Sequence, residues 1–234
     1  MRTFSLMCLI IALSITSAYA GWNRGEVELL NLAYQEGKKI SPSYPEILQV
    51  LMMNETVVGR FGRYGDDHFK DWKMHCFGVM QIQFNTARLF ADRFTDYKLT
   101  DKQLVKRLRF DDAFCIELAG VYVKWLFDFN KGDLHKTILS YNVGPGTVQN
   151  YGLSRDPNKY LQRALNHLRR FIVPFNKKQG NGTIVEYKIR KYDTLYKIAA
   201  KLLCDGKRWR EIMDINPGIS PRDLKVGSIV LVRK

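Results

Sequence analysis

Between Glu26 and Phe175 apolar residues recur at three-and-four spacing almost without a break, the period of helices that bury one face. Ser43 followed by Glu46 forms a capping-box pair, Pro45 is tolerated in a first turn, and together they predict a helix from about Tyr44 to the neighbourhood of Glu55. Thr100 and Gln103 repeat the pair ahead of "LVKRL". Asp111 is placed to cap a long helix on which Phe114, Leu118, Val121, Trp125 and Phe129 recur on one side, the expected central core element. Asp133 caps "LHKTILSYN", which "GPG" at Gly144 to Gly146 ends, and Asp156-Pro157 opens a last helix through "YLQRALNHLRRF".

The period changes after Phe175. "NKKQGNGT" is polar and glycine-containing and reads as a linker. Beyond it "IVEYKIR" alternates as a strand does, "DTLYKIAAKLL" and "KRWREIMDIN" are helical, with Asp193 or Thr194 capping the first, and "SIVLVR" closes as a strand. The expected architecture is a mainly α domain over residues 21–175, a linker over 176–183 and a small α+β module of βααβ order over 184–234. A chain of 234 residues is long enough for one sizeable core and such a second module.

The first twenty residues stand apart. A basic Arg2, an apolar run from Phe4 to Ile15 and the small-x-small triplet Ala18-Tyr19-Ala20 form a signal peptide over 1–20, so export to the periplasm or cell envelope is expected, with Gly21 as the first mature residue. The run is short for a bilayer span, which needs roughly 20 apolar residues, and no stable membrane span is expected after cleavage. Cys8 lacks a lipobox context. Loss of Arg2 leaves 36 basic against 23 acidic residues, a balance of +13. A basic exported protein concentrates near anionic surfaces such as wall polymers or phospholipid headgroups, and a merely solvated surface fits the same charge. Nucleic acid is disfavoured as a partner, since no recognition signature accompanies the charge. Cys76, Cys115 and Cys204 lie at no metal-ligand spacing, and His75 has no second histidine at such spacing, so no metal is expected. An oxidising compartment permits a Cys76 to Cys115 bridge, while core thiols account for the same residues. The sequons at Asn54 and Asn181 carry no weight by themselves.

One acid is oddly placed. In "QVLMMNETVVG" Leu48, Leu51 and Met52 precede Glu55 by seven, four and three residues and share its helix face. Desolvation there disfavours the ionised carboxylate, and the negative end of the helix dipole pushes the same way, so the pKa is expected to rise. A carboxylic acid kept protonated near neutral pH can donate to a glycosidic oxygen. Periodicity alone prefers the plainer reading, a helix-terminal glutamate whose head reaches water.

The motifs downstream change that preference. "FGVMQIQFNTAR" (Phe77 to Arg88) and "LSYNVGPGTVQNY" (Leu139 to Tyr151), taken in order with Glu55, resemble the three motifs of the soluble lytic transglycosylase (SLT-type) family, and the likeness covers roughly Tyr44 to Phe171. It implies a lysozyme-like helical catalytic domain without cofactor that cleaves the β-1,4 bond between N-acetylmuramic acid and N-acetylglucosamine in peptidoglycan and leaves a 1,6-anhydro sugar. Glu55 would act as acid and then base, and one carboxylate suffices because the substrate supplies the nucleophile. By the same resemblance Tyr141 hydrogen-bonds and orients Glu55, Gln81 and Asn142 line the sugar cleft, Gly78 allows close backbone approach, Met80 packs beneath the acid, and Thr56 keeps the hydroxyl of the serine usual after the glutamate. Core packing for Met80 and Tyr141 and a turn role for Asn142 are the structural alternatives. The segment between Gly59 and Cys76 is longer than in the family, and its Asp66, Asp67 and Asp71 are candidate second carboxylates for an inverting muramidase; a solvated loop is the other fate for them.

The C-terminal module resembles a lysin motif (LysM) domain through "IRKYDTLYKIA" and "RWREIMDINPGISPRDLKVGSIVLV". That likeness implies binding of N-acetylglucosamine-containing glycan strands by the loops Tyr192, Asp193, Thr194, Leu195 and Asn216, Pro217, Gly218, Ile219, although capping and turn roles explain several of these residues equally. A non-catalytic wall-binding protein with a vestigial cleft is the remaining alternative, and any partner in a secretion apparatus or wall machinery is left open.

Overall fold

The computed structural model describes residues 21–62, 71–181, 184–216 and 218–234. The expected leader and Asp66, Asp67 and Pro217 lie outside the described residues. The N-terminal body is helical: α1 (Arg24–Ile40), α2 (Ile47–Thr56), a two-stranded antiparallel ribbon of β1 (Cys76–Phe77) and β2 (Ile82–Gln83), α3 (Phe84–Phe94), α4 (Asp101–Phe110), α5 (Asp112–Phe129), α6 (Leu134–Val143), α7 (Pro145–Tyr151), α8 (Tyr160–His167) and α9 (Val173–Lys178).

The long helix α5 is the centre, but its buried face departs from the predicted one: Val121 and Trp125 are half-buried and Phe129 is exposed. Phe114, Leu118, Tyr122 and Leu126 are buried on it, and α1, α2, α3, α4 and α6 all pack against it. Asp111 accepts from Phe114 N, Asp133 from Lys136 N, and Thr100 and Gln103 close a full capping box, so three of the expected starts hold. A fourth box, Asn23 with Glu26, opens α1 and was not foreseen. "GPG" does end α6 at Gly144, yet Pro145 at once opens α7, because proline is pre-organised for a first helical turn. The expected last helix is divided by a π-helical turn at Leu168–Ile172 just before Pro174, whose missing N–H cannot continue the ladder.

The Ser43–Glu46 box does not form. Helix α2 starts at Ile47 with no side-chain cap, because the carboxylate of Glu46 turns instead to Arg233 at 2.7 Å. The expected linker also starts too early. Helix α9 runs on to Lys178, and Asn176 is buried in a reciprocal amide pair with Gln49 of α2, at 3.0 and 2.7 Å.

The C-terminal module has the βααβ order: β3 (Ile184–Lys188), α10 (Leu195–Leu203), α11 (Trp209–Asp214) and β4 (Ile229–Arg233), with β3 and β4 antiparallel in the register Ile184 to Arg233 and Lys188 to Ile229. Alternation on β4 divides its side chains between two cores. Val230 and Val232 face the module's own core with Leu195, Ile198 and Ile212, whereas Leu231, with Ile184 and Ile215, joins the large core of the helical body. Polar ties surround that seam. Tyr44 donates to Asp214 Oδ2 at 2.8 Å, His135 Nε2 lies 2.7 Å from the Asp214 carbonyl, Tyr34 donates to the Asn181 carbonyl at 2.9 Å, and the Arg233 guanidinium sits over the Tyr44 ring at 5.2 Å. The module is seated on the body beside the start of α2.

Candidate active site

Helix α2 carries Glu55 one residue from its C-terminal end. The chain leaves that end through Val57 and Val58, both left-handed at φ of 52° and 58°, a costly conformation for β-branched residues. Thr56 is what holds the turn. Its hydroxyl donates to the Val79 carbonyl at 2.7 Å and accepts from Gly59 N at 2.9 Å, tying the helix end to the β1–β2 connection. Thr56 is wholly buried, so the hydroxyl expected after the acid serves this structural tie and does not face the cleft.

The β1–β2 connection itself is fixed by Gly78. At φ +76° it passes so close to α4 and α5 that a Cβ would lie 2.1 Å from the Leu108 carbonyl and 2.6 Å from Cys115 Sγ. The close approach is therefore to the protein's own core, not to a sugar. Cys115 directs its Sγ to the Phe77 carbonyl at 3.8 Å and makes no bridge to Cys76. The Met80 side chain is fully buried, and its contribution at the cleft is its carbonyl, which accepts the Tyr141 hydroxyl at 2.9 Å.

A cleft of about 320 Å³ opens where these pieces meet, lined by Glu55, Gln81, Thr86, Tyr122, Tyr141 and Asn142 among others. The expected residues Glu55, Gln81, Tyr141 and Asn142 thus lie together at one cleft, brought there by three separate elements. Gln81 is held by donating to the Gly78 carbonyl at 2.9 Å and to Gly62 O, and Asn142 is exposed on the rim. Among the described lining residues Glu55 is the one carboxylate. Asp71 caps a surface 3₁₀ turn by accepting from Lys73 N at 3.0 Å and does not line the cleft.

The partner of the acid is a correction. Tyr141 does not hydrogen-bond Glu55; Tyr160, at the start of α8, donates its hydroxyl to Glu55 Oε1 at 2.5 Å. Beside it Arg163 donates to Asn54 Oδ1 at 2.9 Å, which places a guanidinium near the acid. Burial pushes the Glu55 carboxyl up from 4.5 to about 7, and the Tyr160 hydrogen bond and the Arg163 charge offset only part of that rise. Burial and the nearby Glu55 charge hold both Tyr141 and Tyr160 well above the usual phenol range, so each is a hydrogen-bond donor at neutral pH. Tyr160 was missed because in the sequence it reads as the first apolar residue of a helix.

In the C-terminal module the expected loop residues separate into two kinds. Asn216 is buried, its amide spent on Ile212 O, Leu231 O and Leu231 N at 2.6 to 2.8 Å. Asp193 accepts from Tyr187 and from Arg190 N, and Thr194 caps α10. Those three spend their side chains on hydrogen bonds within the module itself. Tyr192, left-handed at φ 68° and 76 % exposed, and Gly218 stand outward, and Ile219 is half-buried against the small core.

A helical body with a short ribbon beside a cleft, one acid in it held protonated toward neutrality, defines a lysozyme-like domain. Residues 52–164 match the family model of the Transglycosylase SLT domain, and residues 187–233 match that of the LysM domain. The chain therefore carries an SLT-type transglycosylase domain followed by a C-terminal LysM domain. Comparison with curated proteins gives no match. The two domains support a transglycosylase-type, peptidoglycan-degrading role with glycan binding by the second, and an extracellular or envelope setting. No helix among the described residues is long and apolar enough to cross a membrane.

Proposed function

We propose that the protein is a peptidoglycan lytic transglycosylase in which Glu55 is the sole proton donor and acceptor. The neutral carboxyl gives its proton to the glycosidic oxygen between N-acetylmuramic acid and N-acetylglucosamine as the bond from C1 breaks. The substrate's own acetamido oxygen stabilises the positive charge growing at C1. The carboxylate then takes the proton of the muramic C6 hydroxyl while that oxygen closes on C1, so the ring forms as 1,6-anhydro sugar and the acid returns to its starting state. No water is consumed, and no second carboxylate is required.

The observation that carries this reading is the Glu55 carboxyl raised to about 7 inside the cleft, where both protonation states are within reach at physiological pH. Tyr160 orients the acid, and Tyr141, anchored on the Met80 carbonyl, forms the wall on which the sugar lies. Asn142 supplies its amide and Gln81 its amide oxygen to sugar hydroxyls, and the outward LysM residues Tyr192 and Gly218, with the half-buried Ile219 beside them, hold the same polymer. The first twenty residues direct export, leaving a catalytic body and a seated wall-binding module in the envelope.

Release of soluble fragments from purified peptidoglycan tests the reading. Glu55→Gln keeps the shape of the side chain but has no proton to give, and release should fall by at least about 10³-fold, within the range general acid–base catalysis supplies. A variant that solubilises the polymer as fast as the parent would remove Glu55 from the mechanism.

A further inference from the structure

A second, larger groove of about 680 Å³ lies between α5, the end of α1 and the segment after α3. The two cavities are joined by aromatic rings. Tyr122 lines the cleft; one turn on, Trp125 lines the groove and stacks on Tyr122 with centroids 6.4 Å apart and planes at 18°. Phe129 stacks in turn on Trp125, at 5.2 Å and 23°. From Tyr122 to Phe129 the stripe covers about 10 Å of helix axis, room for more than one pyranose ring. Phe90 and Phe94 on α3, stacked at 5.0 Å, buttress it from the side.

Burial falls along the stripe. Tyr122 is 8 % exposed, Trp125 is half-buried, and Phe129 reaches 41 % exposure with Phe94 at 51 % beside it. A row of stacked rings that emerges from a sugar cleft into solvent is costly to leave bare, and its uncovered edges and the outer face of Phe129 offer apolar surface of the kind that binding sites use to hold a ring. The charges at the groove are largely satisfied among themselves. Lys39 pairs with Glu36 and Lys124 with Asp128, both at 2.6 Å, and Glu117 accepts from Tyr97 at 2.9 Å. Such a rim offers hydrogen bonds without demanding an ion, which suits a neutral, hydroxyl-rich chain better than a nucleic acid or an acidic polymer.

We propose that the glycan strand cut at Glu55 continues over Tyr122 onto an aromatic platform made by Trp125 and Phe129, so that α5 holds sugar residues beyond the catalytic cleft. The inference rests on the transglycosylase reading. It makes the protein select long, β-1,4-linked strands over short fragments, and it leads the strand toward the turn into α6, whose His135 touches Asp214 of the LysM domain.

The test compares kcat/KM for anhydro-product formation on uncrosslinked peptidoglycan strands of two lengths, many disaccharide units against two. Trp125→Ala should lower the value on long strands about tenfold, through KM, and leave short strands unchanged, with Trp125→Phe restoring most of the loss. Phe129→Ala, at the more exposed position, should give a smaller loss of the same length dependence and decides the matter if Trp125→Ala does not fold. An equal loss on both lengths, or none on either, overturns the platform while leaving the catalytic reading intact. A parent that forms anhydro product from neither length overturns the catalytic reading and the platform with it.

Discussion

At the scale of single residues the account turns on the proton of Glu55. The acid must be neutral to begin the reaction, so activity should fall as pH rises through about 7. Tyr160 favours the ionised form by donating to it, and Tyr160→Phe should therefore raise the Glu55 pKa by roughly one unit and move that alkaline limb upward, as read from the pH profile of kcat/KM. The same shift has a stability consequence. The folded protein binds the Glu55 proton more tightly than the unfolded chain does, so stability present below about pH 4.5 is lost as pH climbs to about 7. Glu55→Gln should escape that loss and exceed the parent at pH 8 by up to about 3 kcal/mol in denaturant unfolding. The acid was legible through the ordered motifs downstream of it, since its apolar helix face by itself preferred a glutamate that reaches water. Its partner was not, since Tyr160 lies 105 residues away and no local pattern distinguishes a tyrosine that meets an acid from one that fills a core.

At the scale of elements, position is set by helix ends. Starts written in short side chains, Thr100, Asp111 and Asp133, are readable because an N-cap acts within three residues of itself. The start of α2 is not, because Glu46 is claimed by an arginine at the far end of the chain. The other end of α2 depends on the β1–β2 connection, and there Gly78 is required by both its φ and the Leu108 carbonyl 2.1 Å from a would-be Cβ. Gly78→Ala should cost at least about 2 kcal/mol in denaturant unfolding and should depress activity even where the protein still folds, since it displaces the connection that Thr56 holds.

At the scale of the whole molecule, the two modules read from the change of hydrophobic period are present, but the sequence suggested a tether and the structure has a seat. Alternation on β4 was legible; that Leu231 on its outer face would enter a second core was not, because periodicity says which face is apolar and not what covers it. The seat closes over the Glu46–Arg233 pair, each side chain less than a tenth exposed. Removing one partner strands a buried charge, so Arg233→Met alone should cost about 3–5 kcal/mol by thermal or denaturant unfolding, and Glu46→Gln combined with it should recover most of that. On the proposed function, a seated LysM domain would present glycan at a set place relative to the cleft and so raise the local substrate concentration without any new catalytic contact. What the whole assembly does to its polymer is read most directly by mass spectrometry of the fragments that the protein, from Gly21 onward, releases from purified peptidoglycan. The account predicts muropeptides ending in 1,6-anhydro sugar, each lighter by one water than its reducing counterpart; fragments with reducing ends alone would contradict it.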